Sequence, residues 1–175
     1  MQNLKEYAPD FIRFPGGCIV HGVNEATMYH WKKTIGPIEN RPGQWSKWAP
    51  YYRTDGIGYH EFYELCEYLG ADAMYVIPTG MICTGWVKQS SPWNFIQPDV
   101  DLDAYIQDAL DAIEYAIGPE TSKWGALRVK NGHPKPFPLK YIEIGNEDFG
   151  PVYWERYEKI YQALHRQYPL SLIHI

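Results

Sequence analysis

The sequence predicts an α/β protein with parallel strands, and three observations carry that prediction. Short apolar runs with period-two alternation occur at Phe11–Phe14, Met74–Ile77 and Tyr141–Ile144, the pattern of buried strands. Each run is followed by a loop and then, before the next run, by a stretch with the helical stripe, so strand, loop and helix repeat along the chain. That repetition implies parallel pairing with right-handed crossovers. The long loops all follow strands, at the end where α/β barrels keep their chemistry. A complete barrel needs about 250 residues and the chain has 175. A free-standing open α/β sheet is the alternative.

Taken in order, Phe11-Ile12-Arg13-Phe14 stops at Pro15-Gly16-Gly17, and Arg13 shares a face with Phe11. The flanking apolar residues direct its guanidinium inward, where it requires a carboxylate partner. Val23 to Gly58 lacks a clear period but carries Tyr29, Trp31, Trp45, Trp48, Tyr51 and Tyr52. Disordered segments are aromatic-poor, so this stretch is expected to be an elaborated loop forming part of a substrate cleft. Tyr59–Leu69 has an apolar stripe closed by Gly70 and is expected to be a surface helix. His60-Glu61 lacks the second His of a zinc-protease helix, because Glu64 stands there. After the second strand, Pro78 and Gly80 open another aromatic loop, with Trp86 and Trp93. Asp101 starts a helix over Leu102–Ile117 that Gly118-Pro119 stops, and Thr121–Lys140 reads as a polar, Pro-rich connection in which His133 is structural. A last helix is expected over Val152–Tyr168, ended by Pro169. Leu170–Ile175 reads like a translated sequencing adaptor, a non-native tail; its alternation also permits a further strand.

Tyr141-Ile142-Glu143-Ile144-Gly145-Asn146-Glu147-Asp148-Phe149-Gly150 compresses a strand, a candidate site and a helix start. Alternation puts Ile142 and Ile144 on one face and Glu143 on the other. Glu147 is then a carboxylate at a strand's carboxyl end, the position of catalytic groups in barrels. The plain reading is a polar loop in which Asp148 merely precedes the helix.

Composition narrows the function. With 45% apolar and 16% aromatic residues the chain can build a core, and its Trp and Tyr content also suits a carbohydrate site. A net charge of -5 without a Lys/Arg cluster argues against nucleic acid or an anionic membrane as partner. No run is long and apolar enough to cross a bilayer, and Met1–Pro9 lacks a signal-peptide core. Cys18, Cys66 and Cys83 are odd in number, without zinc-site spacing, which favours thiols and a reducing, cytoplasmic compartment.

Several segments together carry a resemblance. They are Arg13-Phe14-Pro15-Gly16-Gly17, Trp31-Lys32-Lys33-Thr34-Ile35-Gly36-Pro37, Arg41-Pro42-Gly43, Asp55-Gly56-Ile57-Gly58-Tyr59-His60-Glu61-Phe62, Leu69-Gly70-Ala71, Asn131-Gly132-His133-Pro134 and Tyr141–Gly150. In order and spacing, from about Ala8 to Pro169, these resemble the catalytic barrel of the α-L-arabinofuranosidases of glycoside hydrolase family 51. The resemblance implies an incomplete (β/α)8 TIM barrel over residues 1–169, holding about the second to fourth strands. It implies a retaining exo-enzyme acting on terminal α-L-arabinofuranosyl groups of arabinan, arabinoxylan or their oligosaccharides. No metal and no organic cofactor are implied, and a homo-oligomeric full-length protein is left open. By the same resemblance Glu147 is the general acid/base, Asn146 holds the sugar 2-hydroxyl and Arg13 orients the nucleophile. Cys18 stands where many relatives have a sugar-binding Asn, and Trp48 or Trp45 walls the pocket. The nucleophile, a second Glu, falls outside the chain. The alternatives are another retaining barrel glycosidase, such as an endo-glycanase, or a non-catalytic carbohydrate-binding protein using Trp45, Trp48, Trp86 and Trp93; modules of that kind are usually β-sandwiches, which the strand-helix alternation opposes.

Overall fold

A computed structural model describes residues 2–46, 51–83, 95–96, 99–168 and 171–173. The elements in order are α1 (Gln2–Glu6), β1 (Phe11–Phe14), β2 (Gln44–Trp45), β3 (Tyr52–Arg53), α2 (Tyr59–Leu69), β4 (Asp72–Ile77), β5 (Ile82–Cys83), β6 (Phe95–Ile96), α3 (Leu102–Ile117), α4 (Lys123–Lys130), β7 (Leu139–Ile144), α5 (Pro151–Gln167) and β8 (Ser171–Ile173). Short 3-10 turns fill much of the connection from β1 to α2. The main sheet has four strands in the order β1-β4-β7-β8, and every pairing in it is parallel. β2 with β3 and β5 with β6 form small antiparallel hairpins within the strand-to-helix connections.

Alternation divides the sheet into two faces. Phe14, Ala73, Tyr75, Ile77, Ile142 and Ile144 belong to the core under the helices. Arg13 pairs with Met74, Met74 with Tyr141 and Val76 with Glu143, so these residues line the opposite face. The core is dominated by interlocked aromatic rings. Tyr59 lies edge-on to Tyr63 and Tyr75, with centroids 5.0 and 4.7 Å away, and Trp31 packs 4.9 Å from Tyr59. The polar tips of Trp31, Tyr59 and Tyr63 are hydrogen-bonded. Tyr63 Oη donates to Tyr59 Oη at 2.8 Å, Tyr59 Oη to the Ala112 carbonyl at 3.0 Å, and Trp31 Nε1 to the Asp108 carbonyl at 3.2 Å. Burial pushes the Tyr59, Tyr63 and Tyr75 phenols well above their usual range, so they stay neutral.

Three expectations are corrected. Tyr29 and Trp31, read as cleft residues, are buried in this core, because 3-10 turns fold the loop back over α2 and α3. α2 is not a plain surface helix at His60, which is buried with Nδ1 2.7 Å from Tyr115 Oη. The connection over 121–140 contains α4, whose eight residues include Gly125, a weak helix former that blurred the period. α4 is started by the Ser122 side chain accepting from Gly125 N at 3.1 Å. It carries Arg128, fully buried, whose guanidinium donates to the carbonyls of Tyr115, Ala116, Gly118, His133 and Pro134 and so caps the end of α3. A short helix, α1, also precedes β1 without any period that announced it.

β8 lies within the segment read as a non-native tail, and it pairs with β7 through Tyr141–Ser171, Ile142–Leu172 and Glu143–Ile173. An alternating segment beside an open strand edge pairs with it whatever its origin.

Candidate functional site

The carboxyl ends of β1, β4 and β7 converge on the loop 145–150. β7 runs on past Ile144 through a bond from Gly145 N to the Ile77 carbonyl, 2.9 Å. Gly145 then turns at φ 86, a conformation strained for any residue with a Cβ, and a Cβ there would stand 2.2 Å from Asp148 Oδ2 and displace that carboxylate. Gly150 caps α5, with Pro151 at its first turn, and Tyr153 Oη donates back to the Ile144 carbonyl at 2.9 Å. The loop is therefore clamped at both ends.

Within it, Asn146 is buried and Glu147 is exposed. Arg13, from β1, holds the base of the site. Its Nε and Nη2 donate to Glu143 Oε2 and Oε1 at 2.6 and 2.5 Å, and Nη2 donates to Asn146 Oδ1 at 2.6 Å. The carboxylate that an inward Arg13 requires is thus Glu143, whose side chain is 1% exposed. Glu143's hydrogen bonds raise the guanidinium's pKa against the effect of burial, and the charges of Glu143 and Glu147 act in the same direction.

Below the loop, His21 Nε2 lies 3.1 Å from Asn146 N, 3.2 Å from Asn146 O and 3.0 Å from Asp148 Oδ1. Asp148 Oδ2 accepts from Thr79 Oγ1 at 2.7 Å, so residues following β1 and β4 both grip the strand-to-helix turn of β7. Asp148 does more than precede a helix.

Cys18 sits on a 3-10 turn, Gly17–Ile19, just after β1. Its Sγ faces Glu147 Oε2 at 3.4 Å, Asn146 Nδ2 at 3.9 Å and Cys83 Sγ at 3.0 Å. Glu147 has φ 56, in the left-handed region that side-chain-bearing residues rarely occupy. Such outliers persist where surrounding structure over-determines them, and they concentrate at functional sites.

The structure therefore gathers Arg13, Cys18, Asn146 and Glu147. Trp45 is exposed on β2, its ring edge-on to Tyr52. Trp48, Trp86 and Trp93 lie outside the described residues. His21 and Thr79, which hold the loop through Asn146 and Asp148, belong to no motif in the sequence. A His six residues beyond Pro15 on the β1 loop is the only sequence signal for them, and it is a weak one. Among the described residues no three ligating side chains are placed to hold a metal ion, and no helix is long and apolar enough to cross a membrane. What the arrangement offers is an exposed carboxylate, next in the chain to a buried amide and flanked by a thiol, at the mouth of the strands.

The model of the alpha-L-arabinofuranosidase 1 domain matches residues 3–175. Alpha-L-arabinofuranosidase 1 of Arabidopsis thaliana is 40% identical over 169 residues, which are 96% of this chain and 24% of the plant protein. The extracellular exo-alpha-L-arabinofuranosidase of Streptomyces chartreusis is 36% identical over 180 residues, 96% of this chain and 21% of that one. Among solved structures, the arabinose-bound MgGH51 α-L-arabinofuranosidase superposes with a TM-score of 0.80 at 34% identity, covering 99% of this chain and 27% of its own. The arabinose complex of the Thermotoga maritima α-L-arabinofuranosidase gives 0.73 at 26% identity, covering 99% and 32%. The chain spans about a quarter of the length of the curated relatives it matches. With the domain model matching nearly end to end and the parallel strands converging on Gly145-Asn146-Glu147, the chain belongs to the α-L-arabinofuranosidase 1 domain family.

Proposed function

We propose that this chain forms one side of the active site of a retaining, exo-acting α-L-arabinofuranosidase, with Glu147 as general acid/base. The observation that carries the reading is the presentation of Glu147: an exposed carboxylate on a left-handed backbone, between a buried Asn146 and the Cys18 thiol, at the carboxyl end of a parallel sheet. β1, β4 and β7 correspond on this reading to the second, third and fourth strands of a (β/α)8 barrel. The nucleophile comes from another part of the full-length protein. Two carboxyls about 5 to 5.5 Å apart then flank the scissile bond.

Each residue of the site has a share in the work. Glu147 protonates the leaving oxygen and, once the glycosyl-enzyme has formed, takes a proton from the attacking water. Asn146, held at its Oδ1 by Arg13 and with one Nδ2 hydrogen toward Cys18 Sγ, has its second Nδ2 hydrogen for a sugar hydroxyl. Arg13 holds Glu143 and orients the charge around the nucleophile. Cys18 offers a weak donor at the sugar's edge. The substrates are terminal α-L-arabinofuranosyl groups of arabinan, arabinoxylan and their oligosaccharides, and no organic cofactor takes part.

The test is a leaving-group comparison in the full-length protein. Glu147→Ala is expected to lower kcat/KM on arabino-oligosaccharides by roughly 10²- to 10⁴-fold, and far less on an aryl arabinofuranoside whose leaving group needs no proton. Equal losses on both substrates remove Glu147 from the acid role.

A further inference from the structure

Cys83 is a buried thiol that the proposed reaction does not use, and it lies beside one that the reaction does use. Cys18 and Cys83 come from loops following different strands, β1 and β4, 65 residues apart in sequence, yet their Sγ atoms are 3.0 Å apart. The approach does not rest on side chains alone, because Cys83 N donates to the Gly22 carbonyl at 3.1 Å and ties the two loops together at the backbone. Both residues are buried, 5% and 7% exposed. A disulfide has its sulfurs about 2.05 Å apart, so roughly 1 Å of closure separates this pair from a bond.

We infer that Cys18 and Cys83 are a redox pair, converted to a disulfide by a small two-electron oxidant such as hydrogen peroxide or glutathione disulfide, and that the bond switches the proposed site off by withdrawing Cys18 from Glu147. With peroxide, one sulfur attacks an oxygen, giving a sulfenic acid and one water. The second sulfur then attacks the sulfenic sulfur, the S–S bond forms and the hydroxyl leaves as a second water. With glutathione disulfide, two successive exchanges give the same bond and release two glutathione thiols. A proton leaving Cys18 has an acceptor at hand in Glu147 Oε2, 3.4 Å from its Sγ. The third thiol, Cys66, is buried inside α2 among the core residues and takes no part.

The site consequence rests on the reading of Cys18 as a pocket residue, but the chemistry can be measured without it. Full-length protein would be treated with diamide or glutathione disulfide, alkylated, digested and mapped by mass spectrometry. A Cys18–Cys83 linked peptide is expected, lost on dithiothreitol treatment, absent in Cys83→Ser and retained in Cys66→Ser. Digests in which both thiols are modified singly and no linked peptide forms would overturn the pair. In activity assays the oxidised wild type is expected to lose at least tenfold in arabinofuranosidase rate and to recover with dithiothreitol, while Cys83→Ser keeps its rate through the oxidant. Full activity in a completely cross-linked sample would overturn the effect on the site. Absence of activity before any oxidation would instead count against the arabinofuranosidase reading, and the linked peptide would still decide the pair.

Discussion

Arg13 serves two partners with one guanidinium, and its removal separates a structural role from a catalytic one. Arg13→Met leaves the Glu143 carboxylate, 1% exposed, without its counter-charge. Breaking a buried ion pair from one side costs about 3 to 5 kcal/mol. Arg13 itself is 29% exposed, so a loss near 3 kcal/mol is expected in urea unfolding of the full-length protein. Because Asn146 Oδ1 is released at the same time, kcat/KM should fall in the fraction that remains folded. A stability change below 1 kcal/mol would show the pair to be solvated. Much of this was legible in the sequence. Alternation along Phe11–Phe14 sends Arg13 inward, and an inward arginine needs a carboxylate. The grip of His21 and Thr79 on Asp148 was not legible, since it arises only when loops distant in sequence fold over one another.

At the scale of elements, the Arg41–Glu61 ion pair ties the connection between β1 and α2 to the start of α2. Arg41 Nη1 and Nη2 donate to Glu61 at 2.9 and 2.6 Å and also to the carbonyls of Asp55 and Gly36. Glu61 in turn accepts from Gly58 N at 2.7 Å, and a Cβ on Gly58 would stand 1.9 Å from the Thr34 carbonyl, so the start of α2 is packed directly on the loop. Burial alone would push the Glu61 carboxyl up, but the hydrogen bonds from Arg41 and from the helix amides hold it below the usual carboxylate range. A depressed folded-state pKa stabilises above the unfolded value, about 4.3, and that contribution is lost as pH falls through the folded value. Wild type should therefore exceed Glu61→Gln by a constant margin from about pH 7 to 5.5, and the margin should shrink below about pH 4. Urea midpoints across that range measure it; a margin independent of pH would show that Glu61 acts through packing alone. The helices α2, α3 and α5 announce themselves by stripes and caps, whereas the loop aromatics do not announce their destination. Trp31 and Tyr29 became core while Trp45 and Tyr52 stayed exposed, and nothing local distinguishes them.

Among the described residues β1 and β8 are the edges of the sheet, and the face carrying Arg13 and Glu143 also presents Phe11, which is 47% exposed. Unpaired parallel edges beside apolar surface invite association with other chains. The chain of 175 residues by itself is expected to show no arabinofuranosidase turnover, since removing one of a set of groups that act together is typically ruinous. It should also self-associate or melt without a sharp transition. Light scattering, calorimetry and an aryl arabinofuranoside assay on the purified chain check this. Turnover abolished by Glu147→Gln, in a cooperatively melting monomer, would refute it. The strand-loop-helix order was visible in the sequence because each element buries its own stripe. The second catalytic carboxyl was not, because a retaining mechanism on this reading divides its chemistry between parts of a longer protein.

The left-handed backbone of Glu147 sets selection for stability against selection for activity. A residue with a Cβ spends about 1 to 2 kcal/mol in that conformation, and glycine spends almost none. Glu147→Gly is then expected to raise the melting temperature of the full-length protein while destroying its proposed chemistry. A library sorted only for heat resistance would discard the carboxylate first, and the variants it enriched would be well-folded proteins that no longer cleave.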